Sequence, residues 1–179
     1  LLDEMGSSKP DRLKLMVVPG SRPYLPRPMA VAEYISGRLG EMGIQVDFLE
    51  APDMDAHEAD LRGGDYDMAL AGWIADTPDP ADFLESLLAS EAVPNQDQQV
   101  SSECNASRFA NPEMDRLLLR NRMDPTPANL EAILKRATDD MVLFPVTHGS
   151  DIYVHSWRIK GFEPPPHRNP KFHQFSLDN

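Results

Sequence analysis

The chain has 179 residues, 41% of them apolar, which is enough for one ordinary domain with a real core and excludes an unfolded polar chain. The formal charge is −12, which argues against nucleic acid or an anionic membrane surface as partner, and no apolar run is long enough to span a bilayer. The single cysteine, Cys104, excludes an internal disulfide and reads as a small buried hydrophobe.

The chain opens without methionine, in LLDEMG, which has helical character, so it reads as a piece of a longer protein. LKLMVVP (13–19) is a dense β-branched and apolar run closed by Pro-Gly, the pattern of a buried strand. A proline-rich loop, GSRPYLPRP (20–28), follows. Val31, Ile35, Leu39 and Met42 then recur at helical spacing, with Gly43 as the stop. IQVDFLE (44–50) alternates like a strand, an acidic helix is expected over about 53–61, and Gly63-Gly64-Asp65 makes a turn. YDMALAGW (66–73) reads as a third buried strand. Strand, helix, strand, helix, strand predicts an α/β domain with a mainly parallel βαβαβ sheet flanked by helices.

Asp79-Pro80 has the form of a helix cap followed by proline at the first helical position, and Phe83, Leu84, Leu87 and Leu88 are expected to face inward. Residues 89–108 are polar and turn-rich and read as a long surface loop. Asn111-Pro112 opens a helix with Met114, Leu117 and Leu118 on one side. Thr126-Pro127 opens another, with Leu130, Ile133, Leu134, Ala137 and Met141 at helical spacing. VLFPVTHGSDIYVHS (142–156) is strand-like. From Trp157 the chain is proline-rich and ends in a mostly polar tail. There is no internal repeat.

Ligands of open parallel sheets bind beyond the carboxyl ends of the strands. Two loops leave such ends, one carrying Arg22 and Tyr24, the other Trp73 and Asp76. If their strands are neighbours, the loops lie side by side. Arg22 and Asp76 then either form a salt bridge that closes the loops or hold opposite ends of a zwitterion; periodicity leaves both open. Twelve acidic residues and one basic residue, Arg62, fall between Glu50 and Glu91. This is either a solvated face or a field that favours a cationic group on a ligand.

Other chemistry is weakly represented. The five histidines lack metal-ligand spacing, and His148 reads as a structural residue near a strand end. Asp76, Asp79 and Asp82 do not follow a calcium-loop pattern. There is no nucleophile elbow and no phosphate-binding glycine loop. Asn105-Ala106-Ser107 matches an N-glycosylation acceptor, a pattern common by chance. Nothing positively supports an enzyme, a metal or a cofactor.

In order, LLDEMG, RPYLPRPMAVAEYISGRLGEMGI, GDYDMALAGWIADTPDPADFL, NASRFANPEMDRLL and FPVTHGSDIYVHSWRIKGF resemble the second lobe and C-terminal segment of the family 5 extracellular solute-binding proteins. The resemblance spans essentially the whole chain and is strongest to the dipeptide-binding branch. It implies a lobe of the periplasmic binding protein type II fold over residues 1–143. It also implies a return segment, 144–179, that packs on a first lobe not contained in this chain. By motif position it implies that Arg22 holds a ligand carboxylate, Asp76 an α-ammonium, and Trp73 a ligand side chain, with Tyr24, Gly72 and Ile74 beside them. The implied function is capture of short peptides for an ABC importer, outside the cytoplasm, with the permease subunits as partners. The same domain also occurs as the ligand-sensing part of transcriptional regulators, which is the alternative expectation.

Overall fold

The computed structural model describes residues 9–72, 74, 79–95, 104–146, 152–164 and 171–178. Its centre is a three-stranded parallel sheet of β1 (Arg12–Val17), β2 (Gln45–Glu50) and β3 (Met68–Leu70), in the order β2-β1-β3. The register pairs Leu15 with both Phe48 and Met68, and Met16 with both Leu49 and Ala69. Paired residues share a face, so alternate residues of β1 feed two cores. Leu15 and Val17 join Ala32, Ile35 and Leu70 on the side of α1 (Pro28–Glu41). Met16 joins Leu61 of α2 (Met54–Gly63), Leu49 and Ala69 on the other. A strand buried on both faces must be apolar throughout, which is why LMVV contains no polar residue.

Local chemistry starts and stops these elements where the sequence indicates. Asp53 Oδ1 accepts the Ala56 N–H at the start of α2. At the end of α1, Ile44 N–H donates to Leu39 O (3.0 Å) and Gly43 N–H to Gly40 O (2.9 Å), with Gly43 at φ +75°, a left-handed exit that glycine adopts without a Cβ penalty.

A second unit is helical: α3 (Pro80–Leu88), α4 (Pro112–Met123) and α5 (Pro127–Asp139). Asp79, Asn111 and Thr126 cap them, and each is followed by proline at the first helical position. Leu84, Leu88, Met114, Leu118 and Ile133 form the buried core, with Leu87, Leu117, Leu130 and Ala137 packed on it. Arg122 reaches Glu85 through two hydrogen bonds, of 3.1 and 2.6 Å, and so ties α4 to α3.

Three expectations need correction. Leu134 and Met141 recur at helical spacing but are exposed; the inward face of α5 is Leu130, Ile133 and Ala137. The stretch 89–108 is not simply a surface loop. Ser90–Ala92 forms a 3₁₀ turn, Cys104 is buried, and Asn105 is 0% exposed. Asn105 Nδ2 donates to Ala89 O (3.0 Å) and Phe109 O (2.7 Å), and Ser107 Oγ donates to Asn105 Oδ1 (2.7 Å). The amide of the glycosylation-like triplet is therefore committed to bridging the end of α3 to the entry of α4. Finally, 142–146 and 152–156 form no strand, and 147–151 lie outside the described residues. A strand exists only against a partner, and the described edge of β3 is only three residues long.

The C-terminal stretch is more ordered than a polar tail. β4 (Ile159–Lys160) pairs antiparallel with β5 (Ser176–Leu177). Phe162 stacks between Tyr153, His155 and Phe175, with ring centroids 5.7, 4.6 and 5.7 Å away. Elsewhere in this segment Phe144, Ile152, Val154 and Trp157 are exposed, Val154 at 93% and Trp157 at 75%.

Candidate functional site

The parallel register puts three chain exits on one edge of the sheet: the loop after β1, the start of α2 after β2, and the loop after β3. After β1 the chain makes a tight turn over Arg22-Pro23-Tyr24-Leu25. Arg22 N–H donates to Leu25 O (3.1 Å) and Leu25 N–H to Arg22 O (3.0 Å). Proline at the second position suits this turn because its φ is already set. Leu25 anchors the turn in the α1-side core. This leaves Arg22 and Tyr24 half-buried at the carboxyl edge.

Tyr24 crosses to the neighbouring loop. A Cβ placed on Gly72 would stand 2.3 Å from Cδ2 and 2.7 Å from Cε2 of the Tyr24 ring. The ring occupies the space that any side chain at 72 would need. Burial raises the Tyr24 hydroxyl above its ordinary pKa, and the nearby Arg22 charge opposes this. The two loops singled out from the sequence are thus adjacent, and Gly72 serves as the seat for Tyr24. Ile74 is exposed. Trp73 and Asp76 lie outside the described residues. Three residues beyond Asp76, Asp79 Oδ1 accepts the Ala81 N–H (2.9 Å) and fixes where α3 begins.

Arg22 Nε is buried and has no hydrogen-bond partner among the described residues. A buried guanidinium N–H without an acceptor is unusual and costly. The sequence reading passed over His57, which lies at the same edge, is 2% exposed, and also has a ring nitrogen without a partner among those residues. Its signal was available: a lone histidine four residues before Leu61 falls on the inward stripe of an otherwise acidic helix.

Comparison with known proteins decides the family. The sequence profile described as "Bacterial extracellular solute-binding proteins, family 5 Middle" matches residues 1–95. The chain belongs to the family 5 bacterial extracellular solute-binding proteins. Among relatives of this family 5 chain, the peptide transport periplasmic protein SapA of Salmonella typhimurium is 25% identical over 164 residues, which cover 89% of the chain and 28% of SapA. Di/tripeptide-binding protein 2 of Pseudomonas aeruginosa is 27% identical, covering 99% of the chain and 32% of the relative. The crystal structure of a dipeptide-binding protein from Pseudoalteromonas sp. SM9913 in complex with Met-Leu superposes with a TM-score of 0.73 at 26% identity. That superposition covers 99% of the chain and 34% of the neighbour. The family 5 chain therefore spans about a third or less of the length of these relatives.

Proposed function

We propose that this chain is the second ligand-binding lobe, with the return segment, of the substrate-binding component of an ABC importer. In this reading the protein captures short peptides by their charged ends, outside the cytoplasm, and delivers them to permease subunits. The observation that carries it is the seat of Tyr24 on Gly72. It brings the Arg22 turn alongside Gly72, the residue that opens the Gly-Trp-x-x-Asp motif, which supports a site that reads both ends of a zwitterion. The Nε of Arg22, buried without a partner among the described residues, supports the carboxylate end.

The roles follow from charge and shape. Arg22 receives the ligand carboxylate, because a guanidinium offers parallel donors to two oxygens. Asp76 receives the α-ammonium, and Trp73 lines the pocket for a side chain. Tyr24, Gly72 and Ile74 frame the space between them. A two-residue ligand places its ends roughly 7 Å apart, so a fixed Arg–Asp separation selects length without reading side chains. No catalytic step, metal or cofactor is assigned. The relatives named above are transport-binding proteins, which favours the importer over the regulator.

Residues 144–179 are assigned to packing on a first lobe. The exposed Phe144, Ile152, Val154 and Trp157 support this, since four large apolar side chains left open to solvent in one segment suit a surface that meets a partner. The test of the binding reading is calorimetry on the full-length protein with the dipeptide Met-Leu and its end-blocked forms. Asp76→Ala should weaken Met-Leu far more than its N-acetyl form, and Arg22→Ala far more than its C-terminal amide. Equal losses for free and blocked ligands would reject the assigned roles.

A further inference from the structure

The side chain of Arg108 joins the sheet to the helical unit. α2 ends at Gly63, and Gly64 leaves it in the left-handed region at φ +71°, with its N–H on Asp60 O (3.0 Å). Leu61 O and Arg62 O, in the same last turn, are among the carbonyls that a helix cannot satisfy by itself. Arg108 meets both: Nη1 donates to Leu61 O (3.5 Å) and Nη2 to Arg62 O (3.4 Å). The same Nη1 donates to Pro94 O (3.2 Å), on the stretch that leaves α3 through the Ser90–Ala92 turn. A Cβ on Gly64 would stand 2.7 Å from Arg108 Cζ, so the guanidinium fills the space beside that glycine. The segment around Arg108 belongs to both units. Cys104 and Ala106 pack with Met16 and Leu61 on the α2 side of the sheet, and Phe109 packs on the helical core. Tyr66 Oη donates to Ala106 O (2.6 Å). Arg108 itself takes φ +55°, a region that arginine rarely adopts and that persists only where the surroundings hold it.

We infer that Arg108 is the latch of this joint, holding the helical unit on the sheet, and through it a positioning residue for the ligand site. A guanidinium suits the task. It offers five donors in a planar fork and needs no acceptor, and its charge is favoured at a helix C-terminus. The consequence for the site follows from connectivity. The chain passes from sheet to helices between Leu70 and Pro80. One end of that crossing, Gly72, is seated under Tyr24 on the sheet; the other, Asp79, caps α3 on the helical unit. Their separation is constant only while the two units keep one relative arrangement. The positioning role rests on the reading that the Arg22 turn and this crossing hold the ligand together; the latch does not.

The test uses the full-length protein and Arg108→Gly. Glycine adopts φ +55° more readily than arginine, so backbone strain does not account for a loss. Cys104, buried at the joint, is the reporter. Its labelling by a thiol reagent, read by mass spectrometry of its peptide, should speed by at least about tenfold, because the hydrogen bonds of a charged group hold the joint closed. That rise should exceed what any fall in urea stability accounts for; a rise no larger than that, or none, overturns the latch. If Arg108→Gly does not fold, Arg108→Lys, which keeps the charge and loses the fork, is read in the same way. Calorimetry then compares Met-Leu with the tripeptide Met-Leu-Ala. The preference for the dipeptide should narrow severalfold in the variant, because a loose joint no longer fixes the span. Equal weakening of both ligands, or an unchanged ratio, overturns the positioning role. If Arg22→Ala and Asp76→Ala weaken free and end-blocked ligands equally, the binding reading falls and takes the positioning role with it, and Cys104 labelling still decides the latch.

Discussion

The ring of Tyr24 lies directly against the backbone of Gly72, with room for no Cβ between them. The backbone of Gly72 is not in the left-handed region, so the demand for glycine is one of space alone. One contact thus ties the Arg22–Leu25 turn after β1 to Gly72, two residues past the end of β3.

Gly72→Ala should therefore cost about 1–3 kcal/mol, the usual range for forced overpacking. The loss should shrink markedly in a Tyr24→Ala background, where the ring is gone. Urea unfolding of the four proteins in the cycle measures the coupling. An identical cost in both backgrounds would mean that the ring is not what Gly72 accommodates.

Asn105 is a buried joint, not a glycan acceptor. Its amide serves two carbonyls and accepts one hydroxyl. Asn105→Ala should destabilise by about 1–3 kcal/mol, because two buried carbonyls lose their donor. Asn105→Asp should be worse at neutral pH, since a carboxylate faces those same carbonyls. An aspartate variant as stable as wild type in denaturant titration would contradict this account.

Cys104 is unreactive by environment. Burial, and secondarily the charge of Glu58, push its thiol up to about 11, against the opposing pull of Arg108. At pH 8 the thiolate is then on the order of 100-fold scarcer than in the unfolded chain. Labelling by a disulfide reagent should slow by at least that factor in the native state. Native and unfolded rates within a few-fold of each other would disprove it.

His57 also links stability to pH. Burial holds its folded-state pKa below the ordinary value of 6.5. The unfolded chain therefore binds this proton at a pH where the native chain does not. Its contribution is complete above 6.5 and is lost as pH falls from there toward the folded-state midpoint. His57→Leu should flatten that part of the stability profile; a profile of unchanged slope would count against it.

The return segment makes the opposite kind of prediction. Val154 projects freely in this arrangement, where Val154→Asp should change stability by no more than about 0.5 kcal/mol. If the segment packs on a first lobe, the same change in the full-length protein should cost about 2 kcal/mol or more, by burying a charge. Thermal unfolding of the full-length variant decides, and a neutral result would reject the assignment of 144–179.

Much of the architecture was readable because its determinants are local. Asp53, Asp79, Asn111 and Thr126 each accept a helix N–H where a cap followed by an apolar period indicates. The stretch Leu15–Val18 is apolar at every position because both faces are covered. Periodicity could not choose among Leu130, Ile133, Leu134, Ala137 and Met141. A stripe wider than the contact leaves its margins exposed, and the helices that α5 packs against determine which margin. Asn105 was opaque because burying it depends on the carbonyl of Ala89, sixteen residues earlier, as well as on its near neighbours Ser107 and Phe109.

Sequence by itself determined the order of elements, their caps, the family, and the two loops worth attention. Each is written in neighbouring residues, whose propensities and spacing act over a few positions. Tertiary structure alone decided that Tyr24 meets Gly72, that Arg22 Nε and His57 Nδ1 lie buried without partners among the described residues, and that 152–156 is not a strand. Such facts depend on which distant segment fills the space beside a residue. A sheet register supplies that; a spacing pattern does not.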